Sequence, residues 1–211
     1  MASATNLDDA RMVEAAGIDV VIAQGIEAGG HRGVFDPELP DQELSTFVLT
    51  RLLMRELRIP VISAGGIMDG AGIAACLALG AGAAQLGTAF ISCPESAADG
   101  DYRAALLGDA AKRTRLTKVI SGRPARGIVN DYMALGEAPE APPVPDYPIA
   151  YDAERAMNTA AKASGDSGYA AQWAGQGARL SRAMPAEELV ATLRAEIDEA
   201  IARLSQFASR S

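Results

Sequence analysis

The sequence is poor in the residues that build metal and disulfide sites. Its 211 residues include one histidine and two cysteines. A pair of cysteines does not make a disulfide scaffold in a chain of this size, and a single histidine among scattered carboxylates offers no cluster of metal ligands. We therefore predict no metal site, and we expect the protein to be located in the reducing cytoplasm.

Basic charge and long apolar segments are also scarce. The chain carries 19 lysines and arginines against 27 acidic residues, a net charge of −8, which disfavours binding to nucleic acid or an anionic membrane. A basic stretch between Asp109 and Asp131 is typical of a solvated face, although it could also contribute to the environment of an anionic ligand. No uninterrupted apolar run approaches the roughly 20 residues that cross a bilayer. We predict a small-molecule partner, with no nucleic acid and no membrane.

The first 90 residues alternate between helical and strand patterns. Short apolar runs predict strands over residues 19–23, 60–64 and 83–86. Helices are predicted to begin after a cap at Asn6, at Gln42 and after a cap at Asp69. Each strand ends in a glycine-containing polar loop, and right-handed crossovers place these loops at one end of a parallel sheet. The pattern therefore predicts an α/β fold.

The remainder of the chain has a different pattern. Residues 118–130 have little periodicity and predict a loop, and five prolines within residues 137–148 predict an extended linker. Helices are predicted over residues 102–107 and 151–163 and after Pro185. The apolar stripe of the last helix consists of Leu189, Leu193, Ile197, Ile201 and Leu204. These segments predict a helical part added to the α/β core.

The only histidine lies in a glycine-rich loop after the first of these strands. The loop reads Gln24-Gly-Ile-Glu-Ala-Gly-Gly-His-Arg-Gly33. Parallel α/β proteins build small-molecule sites where strands end, so His31 is a candidate general base. The competing interpretation is a loop histidine with no chemical role. Glu27 is placed either to orient the imidazole or to face water.

Two further glycine turns follow the next two strands. Gly65-Gly66 precedes a predicted helix, and Gly87-Thr88 comes one strand later. Main-chain amides in such turns can approach a phosphate group, but each turn alone is also an ordinary connection. A TIM barrel commonly binds phosphate with the loops after its last two strands. The spacing of the two turns therefore favours a phosphate site.

Five segments together resemble the nitronate monooxygenase family, formerly called 2-nitropropane dioxygenase. They are the histidine loop, Ser63-Ala-Gly-Gly-Ile67, Gln85-Leu-Gly-Thr-Ala-Phe90, Ser121-Gly-Arg-Pro-Ala-Arg-Gly127 and Trp173-Ala-Gly-Gln-Gly177. The histidine loop is fairly specific, whereas the glycine turns are shared with other FMN-binding barrels. The resemblance covers nearly the whole chain.

The resemblance implies a TIM-type (β/α)8 barrel of which only about the last half is present, with a C-terminal helical appendage. By this likeness residues 1–135 form the half-barrel, residues 136–150 the proline-rich linker and residues 151–211 the appendage. The first six residues would end the fifth barrel strand. A further partner would then be the missing N-terminal half-barrel or another copy of the chain.

The resemblance also implies a cofactor, a reaction and a set of site residues. The cofactor would be FMN, and the base that takes a proton from the carbon bearing the nitro group would be His31. Nitroalkanes or nitronates would be oxidised with O2 to a carbonyl compound and nitrite. The residues that would contact FMN are Gln24 and Gly29 and, at its phosphate end, Gly66, Gln85, Leu86, Gly87 and Thr88.

Two alternatives stay open at this point. Flavin-dependent enoyl-ACP reductase shares the barrel and a similar histidine loop, although the segment from Trp173 to Gly177 favours the monooxygenase. The other alternative is a truncated, non-catalytic fragment, since half a barrel leaves sheet edges unpaired.

Overall fold

The computed structural model describes residues 1–208. Within them the strands are β1 (Ala2–Ala4), β2 (Val21–Gln24), β3 (Gly30–His31), β4 (Val61–Ala64), β5 (Ala83–Gln85), β6 (Thr114–Thr117) and β7 (Ala125–Ile128). The helices are α1 (Leu7–Ala15), α2 (Thr46–Glu56), α3 (Gly70–Ala78), α4 (Thr88–Ile91), α5 (Gly100–Leu107), α6 (Asp131–Gly136), α7 (Ile149–Ala163) and α8 (Ala186–Ala208).

The first sheet is parallel throughout and has the strand order β1-β2-β4-β5. In its register Val21 lies between Ala2 and Val61. Helices connect its successive strands, as the sequence predicts, so the α/β class is confirmed. Among the described residues β1 and β5 each pair with one neighbour only, and both sheet edges are therefore open.

The two faces of this sheet have different surroundings. One face packs on α1 and α2 in a core that includes Val21, Val61, Leu49 and Leu53, none of which is exposed. Because side chains alternate along a strand, the side chain of Ile22, next to Val21, points to the opposite face. That face borders a cavity at the carboxyl ends of the strands.

Side-chain caps determine where several helices begin. The Asn6 side chain accepts a hydrogen bond from the Asp9 N–H at 2.8 Å, and that of Asp69 accepts one from the Gly72 N–H at 2.8 Å, so both predicted caps are confirmed. The predicted start of α2 at residue 42 is wrong. Glu43 has a φ of +52°, which a helix does not accommodate, and Ser45 caps the helix instead.

A second, antiparallel sheet has the strand order β3-β7-β6. It corrects the prediction of a loop over residues 118–130, because β7 lies there as the central strand with all four residues buried. A strand buried on both faces shows no alternation, and Arg126 and Gly127 interrupt its apolar pattern. The sheet pairs His31 with Ala125.

The C-terminal part packs against β7 of the second sheet and against helix α3. The segment around Trp173 runs beside β7, where the Ile128 N–H donates to the Gln172 carbonyl at 2.8 Å. Helix α8 packs on α3. Its predicted apolar stripe is buried at Leu189 and Leu193, but Leu204 is 57% exposed, so the second half of the stripe is not in the core. The domain boundaries at residues 135 and 150 stay a prediction.

Within residues 1–208, no helix combines the length and apolar character needed to cross a membrane. In the same part of the chain, no group of three or more His, Cys, Asp or Glu side chains is placed to hold a metal ion. The two cysteines, Cys76 and Cys93, are both buried and free.

Candidate functional site

A cavity of about 380 Å³ lies where β2, β4 and β5 end. Its wall combines glycine turns, apolar side chains such as Ile22 and Ile67, and the indole of Trp173. Its volume lies within the range of small-molecule sites, and the carboxyl ends of parallel strands are where α/β proteins place them. The fold therefore provides a candidate binding site at the expected edge of the sheet.

Most of the predicted site residues border this cavity. They are Gln24, Gly29, Gly66, Gln85, Gly87 and Thr88. The side chain of Leu86 packs instead into apolar clusters with Cys76 and Leu189. His31 is not part of the cavity wall, and its ring lies beside Trp173, which is.

The glycines of the cavity wall serve different purposes. Gly65 and Gly66 have φ angles of +128° and +68°, a conformation that favours glycine and turns the chain sharply after β4. At Gly87 a Cβ atom would have no heavy atom within 4 Å. At Gly29 it would lie 2.5 Å from the Gly175 nitrogen, so this glycine allows the C-terminal segment to approach the histidine loop.

The His31 imidazole is half-buried among polar and aromatic groups. Its Nε2 atom lies 2.9 Å from the Ser121 Oγ, and the Ser121 hydroxyl donates to the Arg123 carbonyl at 3.1 Å. Its ring centroid lies 5.3 to 6.0 Å from the centroids of three rings, those of Trp173, Tyr147 and Tyr151. Burial, and next the positive charge of Arg123, lower the pKa of His31. The neutral imidazole is thereby favoured.

Sequence reasoning assigned no role to three of these neighbours. Ser121 begins one of the segments that carry the family resemblance. Tyr147 lies in the predicted linker, and Tyr151 begins a predicted helix. Tyr147 precedes α7 and Tyr151 lies on it, so helical spacing gives no signal that the two rings meet at His31.

Buried hydrogen bonds hold the histidine loop. The Arg32 side chain is fully buried and donates to both carboxylate oxygens of Asp41, at 2.7 and 3.2 Å, and to the Gly25 carbonyl at 2.8 Å. The Gln24 side chain accepts from the Gly33 N–H at 2.7 Å and donates to the His31 carbonyl at 3.0 Å. The loop is therefore fixed on both sides of the histidine.

Glu27 does neither of the things that the sequence left open. Its carboxylate accepts hydrogen bonds from the main-chain N–H and the hydroxyl of Thr46, at 2.8 and 2.9 Å. Thr46 is the first residue of α2, where a negative charge is stabilised by the helix dipole. Glu27 therefore connects the histidine loop to α2.

The chain matches a family model over most of its length. Residues 1–196 match the model described as nitronate monooxygenase. The chain belongs to this family. It is 62% identical to the nitronate monooxygenase of Paraburkholderia phytofirmans over 99% of its length, and 57% identical to that of Pseudomonas aeruginosa over 92%. It spans 57% and 55% of the length of these two relatives.

Solved structures support the same assignment. The nitroalkane oxidase of Streptomyces ansochromogenes is 45% identical, with a TM-score of 0.89 over 96% of this chain and 58% of its own. FabK from Thermotoga maritima is 32% identical, with a TM-score of 0.77 over 97% of this chain and 62% of its own. The likeness to the first is therefore greater in both sequence and structure.

We predict that Arg32→Met lowers the free energy of unfolding by about 3 kcal/mol, because it leaves Asp41 and the carbonyls of Gln24 and Gly25 without their buried donor. Urea denaturation at pH 7 measures this loss. The matched control is Arg11→Met, which breaks an exposed pair with Glu56 and should cost less than about 1 kcal/mol. Equal losses in the two variants would contradict the role of Arg32.

The same pair predicts a pH dependence. Partial burial opposes ionisation of Asp41, but hydrogen bonds, chiefly from Arg32, outweigh it and lower the pKa of Asp41. A carboxylate whose pKa is lower in the folded protein stabilises it above the unfolded pKa, and that stability is lost as the pH falls through the folded pKa. Stability should therefore decrease below about pH 4, and this part of the decrease should be smaller in Arg32→Met.

Proposed function

We propose that this chain provides the base and the phosphate side of the cofactor site in an FMN-dependent enzyme that oxidises nitronates and nitroalkanes with O2. The products would be a carbonyl compound and nitrite. The observation that supports this most directly is the His31 imidazole, which has a pKa lowered by burial and contacts Ser121 beside a cavity with glycine turns. Membership of the nitronate monooxygenase family supports the same reaction.

The residues of the cavity suit FMN. Ile22, Ile67 and Trp173 supply apolar surface for a flat ring system, and Gln85 and Thr88 supply polar groups for a phosphate. The open space beside Gly87 leaves the main chain accessible to such a group. When bound, FMN supplies the electron-transfer chemistry.

His31 would act as the general base. The carbon next to a nitro group is a weak acid, and its proton can be taken only by a base that is itself unprotonated. Because the pKa of His31 is lowered, the imidazole stays neutral to a lower pH than an exposed histidine. Ser121 fixes the orientation of the ring, and the rings of Tyr147 and Tyr151 exclude water from it.

We also propose that the chain corresponds to about the last half of a (β/α)8 barrel. The open edges at β1 and β5 fit this proposal, because a closed barrel would pair both strands. The chain covers just over half of its relatives. Further strands, from additional chain or from another subunit, would then pair with these edges and complete the pocket.

For FMN binding, we predict that Gly87→Ala weakens affinity about tenfold, a cost of about 1.4 kcal/mol. The added methyl group would occupy the open space where the phosphate side is proposed to lie, without straining the protein. Quenching of flavin fluorescence during titration measures the affinity. Gly100→Ala is the control, because a Cβ there also meets no atom and Gly100 begins α5, outside the cavity wall. If both variants bind FMN as the wild type does, Gly87 is not at the phosphate.

For the base, we predict that His31→Gln lowers turnover of a neutral nitroalkane by at least about a hundredfold. Glutamine cannot accept the proton, whereas a preformed anionic nitronate needs no proton removed and should still be oxidised. Oxygen uptake by the FMN-loaded protein measures both rates. Normal turnover of the neutral substrate would show that His31 is not the base.

The same preparation separates the other functions. The likeness to FabK from Thermotoga maritima makes enoyl-ACP reduction the second candidate. NADH oxidation that depends on an enoyl thioester, without any response to nitronates, would establish that activity instead. Failure of the wild-type chain to bind FMN would favour a non-catalytic fragment.

A further inference from the structure

The C-terminal segment that carries Trp173 is held along one edge by main-chain hydrogen bonds. The Gln172 carbonyl accepts from the Ile128 N–H at 2.8 Å, and the Ala174 N–H donates to the Arg126 carbonyl at 3.2 Å. Trp173 itself forms an antiparallel bridge with Gly127. The segment therefore lies against β7 as an additional, irregular strand.

Side chains satisfy the other edge of this segment. The Ala171 N–H donates to a carboxylate oxygen of Glu154 at 3.0 Å, and the Trp173 carbonyl accepts from the Tyr102 hydroxyl. Two helices, α7 and α5, supply these groups. The main chain is therefore bonded on both sides of the tryptophan, where a neighbouring strand would otherwise be needed.

Glu154 is an unusual residue to find at this position. It is 2% exposed, and among residues 1–208 no ion pair to its carboxylate is found. Burial raises the pKa of Glu154. Burying a carboxyl group is costly unless it is hydrogen-bonded, and its hydrogen bond here is the one to Ala171. An apolar residue would fill the same space without this cost.

Glu154 also connects two parts of the His31 surroundings. It lies on α7, three residues after Tyr151, and it binds the main chain two residues before Trp173. The centroids of these two rings are 6.4 Å apart, and both rings lie beside His31.

We propose that Glu154 is a positioning residue, which fixes the segment around Trp173 to helix α7 and thereby sets the aromatic enclosure of His31. Its importance for turnover rests on the function proposed above. The geometric part does not, because it concerns the placement of two rings and can be measured without substrate or cofactor.

The chain offers a separate spectroscopic probe for each side of this connection. Trp173 is its only tryptophan and His31 its only histidine, so indole fluorescence and imidazole NMR each report on one residue. The variants are Glu154→Gln, which keeps a hydrogen-bond acceptor, and Glu154→Met, which keeps the volume and removes the acceptor. Glu188→Met, an exposed position on α8, is the matched control.

In Glu154→Met we expect the Trp173 emission to move to longer wavelength as the indole becomes more exposed to water. The pKa of His31 should rise toward its ordinary value, since burial is the main cause of its lowering. Glu154→Gln and Glu188→Met should leave both signals close to those of the wild type. Unchanged signals in a folded Glu154→Met would overturn the proposal.

Amide exchange in the wild-type protein tests the proposal even if Glu154→Met does not fold. The bond to Glu154 requires that the Ala171 amide exchange slowly with solvent, and Glu154→Gln should preserve this protection. Exchange at the rate of an exposed amide would overturn the proposal. Failure of the function proposed above would appear differently, as normal spectra without nitronate turnover.

Discussion

The site depends on the main-chain pairing of β3 with β7. Two residues, Gly30 and His31, pair with Arg126 and Ala125, and this turns a glycine-rich loop into the edge of a sheet. The segment around Trp173 lies against the same strand, where Trp173 forms a bridge with Gly127. Without this pairing, the histidine would belong to a mobile loop with no fixed relation to the aromatic rings or to the cavity.

In the function proposed above, the two sheets have different roles. The parallel sheet ends in glycine turns that leave main chain accessible beside an apolar cavity, as a phosphorylated cofactor needs. The antiparallel sheet brings His31 to Ser121 and the aromatic rings, where burial lowers the pKa of the imidazole. Trp173 belongs to both environments, because it borders the cavity and lies beside the imidazole. It is the residue through which the two halves of the site meet.

Local sequence signals predict much of the fold. Caps at Asn6 and Asp69 and glycines after apolar runs depend on a few neighbouring residues, so the helices and parallel strands could be read from sequence. Strand β7 could not be predicted in this way, because an arginine in the sequence indicates a surface position. In the structure Arg126 is buried, and its side chain donates to the Ile26 carbonyl. Ser121 is 90 residues from His31, and no local pattern indicates that they meet.

That long separation in sequence also bears on how the site assembles. Closing so large a loop costs conformational entropy before any contact compensates for it, and a high contact order slows folding. On the ribosome, the parallel strands can form as they emerge, but the imidazole gains its aromatic neighbours only after much of the C-terminal third of the chain has been synthesised. During synthesis the parallel sheet can therefore be complete while His31 still lacks the rings that enclose it.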